Sequence, residues 1–184
     1  MTVFSTGRLV IRAAGPGDAG MYLELWTDPR VMANVGFPQG LRITGDEIRE
    51  RLESQAGEVY DMLLVAETKE TGEVIGECRL KRPDEEGIAS TDVKLLPRFQ
   101  GLGFGTEIKR GLLDYLFART DCRAVEASPN RDNIASIRMQ EAVGGHLVSE
   151  ETFEFPPEMR DYTTPVHSLI YRVSREDWEA QAGE

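Results

Sequence analysis

The stretch Val93–Thr106, VKLLPRFQGLGFGT, decides the fold and is the most informative part of this sequence. It runs from the end of a predicted strand into a turn with three glycines, Gly101, Gly103 and Gly105, and this turn opens an amphipathic helix at about 105–118. Glycine allows positive φ and lets a ligand approach the backbone, because it has no Cβ. The first N–H groups of a helix are unpaired and its dipole favours anions. The stretch therefore predicts an anion-binding loop, with phosphate as the natural ligand.

The segments on either side of this loop predict an α+β fold. Before it, apolar runs and alternation predict strands at 59–66, 74–80 and about 89–96, and short turns should join them into an antiparallel meander. After the helix, residues 122–127 are predicted as a further strand. The strand–helix–strand unit over 89–127 should therefore place two strands side by side and parallel.

The remaining segments add the outer parts of the same domain. Helices are expected between Asp18 and Asp28, from Thr44 through Leu52, over 134–143 and, as a short element, after Ser174; strands are expected at 8–12, 146–155 and 163–173. No repeat, low-complexity tract or linker divides the sequence. We therefore predict a single domain over 1–184, in which residues 174–184 form a peripheral tail.

The composition is that of a soluble globular protein. The chain has 184 residues, of which 40% are hydrophobic and 29% charged, so it can bury one sizeable core. No run approaches the roughly 18 apolar residues of a transmembrane helix, and the start lacks the features of a signal peptide. Two cysteines, Cys78 and Cys122, are too few for a disulfide framework. We expect a cytoplasmic protein with no membrane partner.

The net charge of −11 is unevenly distributed. Residues 150–184 carry nine acidic and three basic side chains, whereas the segment Lys94–Arg110 carries four basic side chains and one acidic one. Duplex nucleic acid would be repelled by such a chain, which excludes it as an expected partner. The locally basic segment surrounds the glycine loop, so the charge pattern agrees with an anionic ligand there.

Three interpretations of the glycine loop compete on residue spacing. A P-loop needs Lys followed by Ser or Thr after the second glycine, and this sequence lacks that pair. A dinucleotide fingerprint, G-x-G-x-x-G, is matched at Gly101 and Gly103 but not at Thr106, and it should open a long alternating βα chain rather than follow a meander. A turn that uses glycine for geometry alone is the third interpretation.

Four segments together resemble the GNAT (general N-acetyltransferase) superfamily. Gln100–Gly105, QGLGFG, matches its acyl-CoA signature Q/R-x-x-G-x-G/A, and Asn133–Gly144, NIASIRMQEAVG, resembles its helix N-x-x-S-x-x-x-x-E-K-x-G-F. Thr6–Arg12, TGRLVIR, resembles the T-x-R-L-x-L-R start of the ribosomal-protein N-acetyltransferase-like branch, and Asp28–Met32, DPRVM, resembles the segment after that branch's first helix. The resemblance covers about 6–173.

This resemblance implies both a fold and a reaction. The fold is an α+β, GNAT-like, mixed but mostly antiparallel central sheet of six to seven strands, flanked by about four helices. Its central parallel strand pair is splayed at the acyl-CoA site. The reaction transfers an acetyl group from acetyl-CoA, the co-substrate, to a primary amine by direct attack on the thioester. The amine would be a protein N-terminus or a small molecule, and the protein a monomer or a homodimer.

The resemblance also implies the residues that hold acetyl-CoA. Backbone N–H groups of the glycine loop would bind the pyrophosphate, the N–H near Leu95 would polarise the thioester carbonyl, and Asn133 would contact the cofactor from its helix. The implied cofactor-binding residues are Leu95, Gln100, Gly101, Leu102, Gly103, Phe104, Gly105, Thr106 and Asn133.

The two catalytic positions depart from the family pattern. The usual general-base Glu is replaced by Ser90, and Asp92, two residues on and so on the same strand face, is the substitute candidate. A solvated strand charge is the alternative interpretation of Asp92. The usual general-acid Tyr is replaced by Gln140, which has no acidic proton, and Ser136 is the remaining candidate. Ser136 could instead bond to a carbonyl one turn back in its helix.

The resemblance also implies that two loops bind the acceptor amine. They are Val31–Arg42 and Glu154–Thr163, and in the second loop the carboxylates of Glu154, Glu158 and Asp161 could attract a cationic amine. Solvated loop charge is the alternative interpretation of these three residues.

The two histidines of the sequence do not indicate a metal site. His146 and His167 are isolated from other ligand-type residues, so no metal site is expected. Two other function classes stay open from sequence: a non-catalytic acyl-CoA-binding module, because of Ser90 and Gln140, and a dinucleotide-binding oxidoreductase.

Overall fold

A mixed sheet of eight strands organises the computed structural model, which describes residues 1–182. The strands are β1 (Thr2–Ser5), β2 (Leu9–Ala13), β3 (Leu64–Thr68), β4 (Val74–Lys81), β5 (Ile88–Leu95), β6 (Ala124–Ala127), β7 (His146–Phe153) and β8 (Val166–Ser174). Their spatial order is β1-β2-β3-β4-β5-β6-β8-β7. Every neighbouring pair is antiparallel except β5 and β6, which are parallel. The predicted meander and parallel pair are both confirmed.

Within residues 1–182, six helices cover the two faces of this sheet. They are α1 (Ala19–Thr27), α2 (Pro29–Met32), α3 (Gly45–Glu53), α4 (Phe104–Arg119), α5 (Ile134–Ala142) and α6 (Arg175–Ala182). Within residues 1–182, none of them combines the length and apolarity that crossing a membrane requires. Leu64 and Val65, successive residues of β3, are both fully buried but belong to different apolar clusters. The sheet therefore separates a core under α4 from a second core under α1 and α3.

The structure has more elements than the six to seven strands and about four helices that the sequence predicts. The additional strand is β1, a four-residue strand at the edge of the sheet beside β2. The additional helix is α2, which has four residues, whereas α6 is the short helix expected after Ser174. Elements this short do not span enough residues to show a hydrophobic period, so the sequence carries little signal for them.

The strand predicted at 59–66 is placed wrongly at its start. Residues Val59–Asp61 form a single turn of 3-10 helix, and β3 begins only at Leu64. A short apolar run is compatible with a buried turn as well as with a strand, and periodicity alone does not distinguish them.

The parallel strands β5 and β6 separate after three residues, as the GNAT resemblance implies. Ile88–Ser90 pairs with Ala124–Glu126, and the pairing stops there. β5 continues to Leu95, with β4 on its other side. Among the described residues no strand pairs with Thr91–Leu95 on the β6 side. This free strand edge forms one wall of a cleft.

The predicted tail folds back onto the domain. α6 begins at Arg175, whose guanidinium donates to three backbone carbonyls near the end of α4, those of Phe117, Thr120 and Cys122. Trp178 packs against the core under α4. The last two residues of the tail, 183–184, lie outside the described residues.

Candidate active site

A cleft of about 780 Å³ opens where β5 and β6 separate. Nine of the eleven predicted site residues line it: Asp92, Leu95, Gln100, Gly101, Gly103, Gly105, Thr106, Asn133 and Ser136. The side chains of Leu102 and Phe104 do not line it. Leu102 is exposed to solvent, and Phe104 packs against the core under α4. Because their predicted role uses backbone N–H groups, the orientation of these two side chains leaves that prediction intact.

The glycines of the loop have two different structural roles. Gly101 and Gly103 have φ of 74° and 81°, a left-handed conformation that residues with a Cβ seldom adopt. Gly103 is also the N-cap of α4. Gly105 instead allows close packing, because a Cβ there would lie 3.2 Å from Sδ of Met139 on α5 and that side chain would have to shift. The sequence therefore forces the chain to turn sharply and then brings α4 and α5 into close contact.

The loop presents a row of unpaired backbone donors. The N–H groups of residues 101–106 have no acceptor within the part of the chain that the structure describes. The first paired N–H of the helix is that of Glu107, which donates to the carbonyl of Gly103 at 3.1 Å. Unpaired N–H groups at the positive end of a 16-residue helix favour an anion such as a pyrophosphate. The residues present therefore fit the phosphates of coenzyme A.

A clasp of Thr6, Arg8 and Glu107 holds this loop in place. Glu107 accepts hydrogen bonds from Thr6 Oγ1 at 2.6 Å, from the Arg8 backbone N–H at 2.7 Å and from Arg8 Nε at 2.6 Å. Arg8 also donates to the Leu102 carbonyl at 3.1 Å and stacks on Phe104. Partial burial opposes ionisation of Glu107, but these donors outweigh it and lower the pKa of the carboxylate. Sequence reasoning missed the role of Glu107, because its partners Thr6 and Arg8 lie about 100 residues away in the sequence.

Asp92 lies in the cleft as half of an ion pair. Its carboxylate accepts a hydrogen bond from Lys94 Nζ, and the same ammonium lies 3.3 Å from Oε1 of the buried Glu77 on β4. Desolvation would raise the pKa of Asp92, but the Lys94 ammonium outweighs it and lowers that pKa. A carboxylate with a lowered pKa is a weak proton acceptor, although it can still bind and orient a cation.

Asn133 and Ser136, the two predicted site residues at the start of α5, differ in their hydrogen bonds. Asn133 is the N-cap of α5, and its Oδ1 accepts a hydrogen bond from the Ser136 backbone N–H at 3.2 Å. Within the described residues, the Ser136 hydroxyl bonds to no carbonyl one turn back, the alternative that the sequence left open. It lies half-buried in the cleft wall and is available to a substrate.

Gln100 and Leu95 are joined across the start of the glycine loop. Gln100 Nε2 donates to the Leu95 carbonyl at 3.0 Å, and both residues line the cleft. The bond fixes the end of β5 relative to the loop, so the free strand edge and the unpaired N–H groups have a set spacing.

Lys109 of α4 is a cleft residue that sequence reasoning did not single out. Its side chain is only 1% exposed, and its Nζ donates to Thr91 Oγ1 at 2.5 Å. Burial lowers the pKa of this amine to about 7, against an opposing contribution from Asp92. A signal existed in the helix period, because Lys109 precedes Leu112 and Leu113 by three and four residues and so shares their buried face.

The opposite end of the cleft is aromatic. Phe37, Phe153 and Phe155 pack edge to face, with ring centroids 5.2 Å apart for Phe37 and Phe155 and 5.0 Å apart for Phe153 and Phe155. Further apolar side chains line this region: Val31, Val35 and Val166. The predicted acceptor loops do meet here, since Phe37 belongs to the first loop and Phe155 to the second.

Charge in the cleft differs from the expectation for its acceptor loops. The charged residues that line it are Asp92, Lys94, Lys109 and Arg138. The three carboxylates of the second loop, Glu154, Glu158 and Asp161, are exposed and do not line the cleft. Across residues 1–182, no group of three or more His, Cys, Asp or Glu side chains is arranged to hold a metal ion.

A comparison with known protein families identifies the family of this chain. The family model of the acetyltransferase (GNAT) domain matches residues 8–146, more than half of the chain. The chain belongs to the GNAT acetyltransferase family. It is therefore an acyltransferase, and the GNAT resemblance of its sequence is confirmed. The ribosomal-protein N-acetyltransferase-like branch stays a prediction.

Individual relatives agree with this assignment. This GNAT chain is 27% identical over 176 residues to an uncharacterised N-acetyltransferase, p20 of Bacillus licheniformis, with 92% of each chain covered. Its fold is similar to that of a GNAT-family acetyltransferase from Bacillus anthracis, at a TM-score of 0.78 and 18% identity over 96% of this chain and 99% of that one. It is also similar to aminoglycoside acetyltransferase AAC(6')-Ib solved with coenzyme A and kanamycin, at a TM-score of 0.70 and 16% identity over 95% and 99%. These two structures show the fold alone.

Proposed function

We propose that this GNAT chain is an N-acetyltransferase that moves the acetyl group of acetyl-CoA onto a primary amine by direct attack on the thioester. The observation that carries the proposal is the row of unpaired N–H groups at residues 101–106, set beside the free edge of β5 in one cleft. A solved structure of the same fold, that of AAC(6')-Ib, holds coenzyme A, which supports acetyl-CoA as the donor.

The donor end acts mainly through the backbone. The N–H groups of Leu102–Thr106 bind the pyrophosphate, and the clasp of Thr6, Arg8 and Glu107 keeps their spacing. The free edge of Thr91–Leu95 pairs with the amides of the pantetheine arm, as a sheet edge pairs with an added strand. An N–H near Leu95 donates to the thioester carbonyl and stabilises the negative charge that develops on its oxygen. Asn133 Nδ2 supplies a further donor from α5.

The acceptor is an amine with an apolar or aromatic body and a single charge. Phe37, Phe153 and Phe155 offer ring edges and faces to such a body. The ionised Asp92 orients the ammonium or amine group beside the thioester. Lys94 is paired with Asp92, and Arg138 adds a positive charge to the cleft lining, so a polycation is repelled from it. Kanamycin, the ligand of the AAC(6')-Ib structure, carries several amines and is therefore a poor model for this acceptor.

Ser136 assists departure of the sulfur. Its hydroxyl has no partner one turn back in α5, so it donates a hydrogen bond to the developing thiolate. A thiolate with a reference pKa of about 8.5 leaves readily near neutral pH, so a hydrogen bond is a sufficient role for Ser136.

A free-thiol assay with an amine panel tests this function. The panel contains phenethylamine, N-terminal peptides, spermidine and kanamycin, each mixed with acetyl-CoA and the enzyme. We expect thiol release to be fastest with phenethylamine and slowest with spermidine and kanamycin. Faster release with kanamycin than with phenethylamine would contradict the proposed acceptor class while leaving acetyl transfer intact.

Ligand-induced stabilisation separates this function from its two alternatives. Acetyl-CoA should raise the Tm of the protein, and NAD or NADP should not. Stabilisation by acetyl-CoA without thiol release from any amine would support a non-catalytic acyl-CoA-binding module. Stabilisation by a dinucleotide alone would support an oxidoreductase and overturn the proposal.

A further inference from the structure

Lys109 is a buried amine that lacks an anionic partner. Two other charged side chains are buried within residues 1–182, and each has its counter-ion: Asp18 pairs with Arg12, and Glu77 lies near Lys94. Lys109 has one acceptor among the described residues, Thr91 Oγ1, although an ammonium has three N–H donors to satisfy. Burying an unpaired ammonium is costly, so the fold favours the uncharged amine.

The position of this amine suggests a use for it. Thr91 is the first residue of β5 beyond the point where β6 separates, and Asp92 follows it directly. Lys109 Nζ therefore lies on the floor of the cleft, where the free strand edge begins. The loop of unpaired N–H groups, residues 101–106, ends about one helical turn before Lys109. The amine thus lies between the donor end and the acceptor end.

We propose that Lys109 is the catalytic group that carries the proton of acetyl transfer from the attacking nitrogen to the leaving sulfur. This role rests on the proposed function. The nitrogen of the uncharged acceptor amine forms a bond to the thioester carbon, and the electron pair of the C–S bond departs with sulfur. The surplus proton on nitrogen passes to Lys109 Nζ and then to the thiolate. The products are an amide and a free thiol, and Lys109 returns to its uncharged form.

The other cleft residues are less suited to this transfer. Asp92 is held ionised by Lys94, which lowers its pKa and makes it a weak base. Gln140 does not titrate, and Ser136 is not acidic enough to exchange a full proton near neutral pH. An amine that titrates close to neutral pH can both accept and donate, which is the condition for efficient acid–base catalysis.

Burial and one neighbouring carboxylate set the titration of Lys109. Burial lowers its pKa, and Asp92 on β5 opposes this by favouring the ammonium form. Lys94 on β5 and Arg138 on α5 are the other charged side chains that line the cleft. Acetyl transfer should therefore weaken as pH falls below about 7, because Lys109 then holds its proton and accepts none.

The test compares Lys109→Met with Lys81→Met, a matched change of an exposed lysine at the end of β4. Aniline serves as acceptor, because this weakly basic amine stays uncharged across the pH range and its own titration does not overlap. We expect kcat of Lys109→Met to fall about a hundredfold, the usual size of an acid–base contribution, with the Kd of acetyl-CoA unchanged. The low-pH decline of kcat should be present in wild type and Lys81→Met and absent in Lys109→Met.

A second measurement follows the amine without substrate. In the unfolded chain Lys109 keeps its proton up to about pH 10.4, whereas the folded protein releases it near 7. Between these values the unfolded state binds more protons, so stability rises with pH. The Tm of Lys109→Met should exceed that of wild type at pH 6, and the difference should shrink as pH rises from 7 to 10. Lys81→Met should follow wild type throughout.

The outcomes distinguish this role from the function on which it rests. A Lys109→Met enzyme with kcat within threefold of wild type and the same low-pH decline would overturn the role of Lys109 alone. A Tm difference that is constant with pH would also overturn it, because Lys109 would not be the titrating amine. Wild-type protein that releases no thiol with any amine would overturn the proposed function, and this role with it.

Discussion

The two ends of the cleft are built on opposite plans. The donor end is one continuous segment, Gln100–Thr106, and it works through backbone N–H groups that point out of a helix terminus. The acceptor end is assembled from side chains of segments far apart in sequence, with Phe37 after α2 and Phe153 and Phe155 at the end of β7. Backbone recognition depends on local conformation, whereas side-chain recognition depends on tertiary packing. Substitutions at the donor end should therefore weaken ligand binding more than substitutions at the acceptor end.

The largest effect is expected at the backbone of the donor end, from Gly103→Val. A β-branched residue is strained at φ of 81°, so the loop must shift and its N–H groups lose their spacing. Losing two charge-assisted hydrogen bonds of about 1.5–3 kcal/mol each should weaken acetyl-CoA at least about a hundredfold. Isothermal titration calorimetry measures this change.

Gly20→Ala is the control for that variant. Gly20 lies on α1, and a Cβ added to it would meet no atom within 4 Å beyond its own helix, so its substitution should leave the Kd of acetyl-CoA unchanged and raise the Tm slightly through helix propensity. Wild-type affinity in a folded Gly103→Val protein would show that the loop does not bind the cofactor.

A smaller effect is expected from Glu107→Gln, which weakens the side-chain clasp but leaves the loop backbone intact. The substitution removes the ion pair with Arg8, and the amide NH2 that replaces one carboxylate oxygen accepts no hydrogen bond, so the clasp loses about 1–2 kcal/mol. The Kd of acetyl-CoA should rise about tenfold, and KM for the amine should stay the same. Glu50→Gln, an exposed change on α3, is the control. An equal rise in KM for the amine would mean that the two ends are not independent.

The same contrast explains what the sequence could predict. Gly101, Gly103 and the helix that follows are local in sequence, so residue spacing alone predicted the anion-binding loop, and the family resemblance pointed to further cleft residues such as Leu95 and Asn133. The clasp of Glu107 with Arg8 joins residues 99 positions apart, and such a contact has no local signal. Lys109 was counted only as a basic residue, because its burial follows from how α4 packs on the sheet.

Phe37→Leu tests the aromatic end with a moderate effect. The edge-to-face contact with Phe155 is lost while an apolar side chain remains, a change of about 0.5–1.5 kcal/mol. KM for phenethylamine should therefore rise about fivefold, whereas KM for methylamine, which has no ring, should not change. The Kd of acetyl-CoA should match wild type. An equal rise for both amines would indicate that Phe37 supports the cleft wall rather than the ring of the acceptor.

The smallest effect is expected from neutralising the second acceptor loop, Glu154–Thr163, by combining Glu154→Gln, Glu158→Gln and Asp161→Asn. These carboxylates are exposed and lie outside the cleft lining, so water and salt screen them from a bound amine. KM for phenethylamine should change by less than about twofold, as for other solvated surface charges. A larger rise in KM that disappears at high salt would instead show that the loop attracts the amine from a distance. In that case the acceptor end would also act through long-range charge, and the aromatic side chains would select among amines that the loop has already gathered.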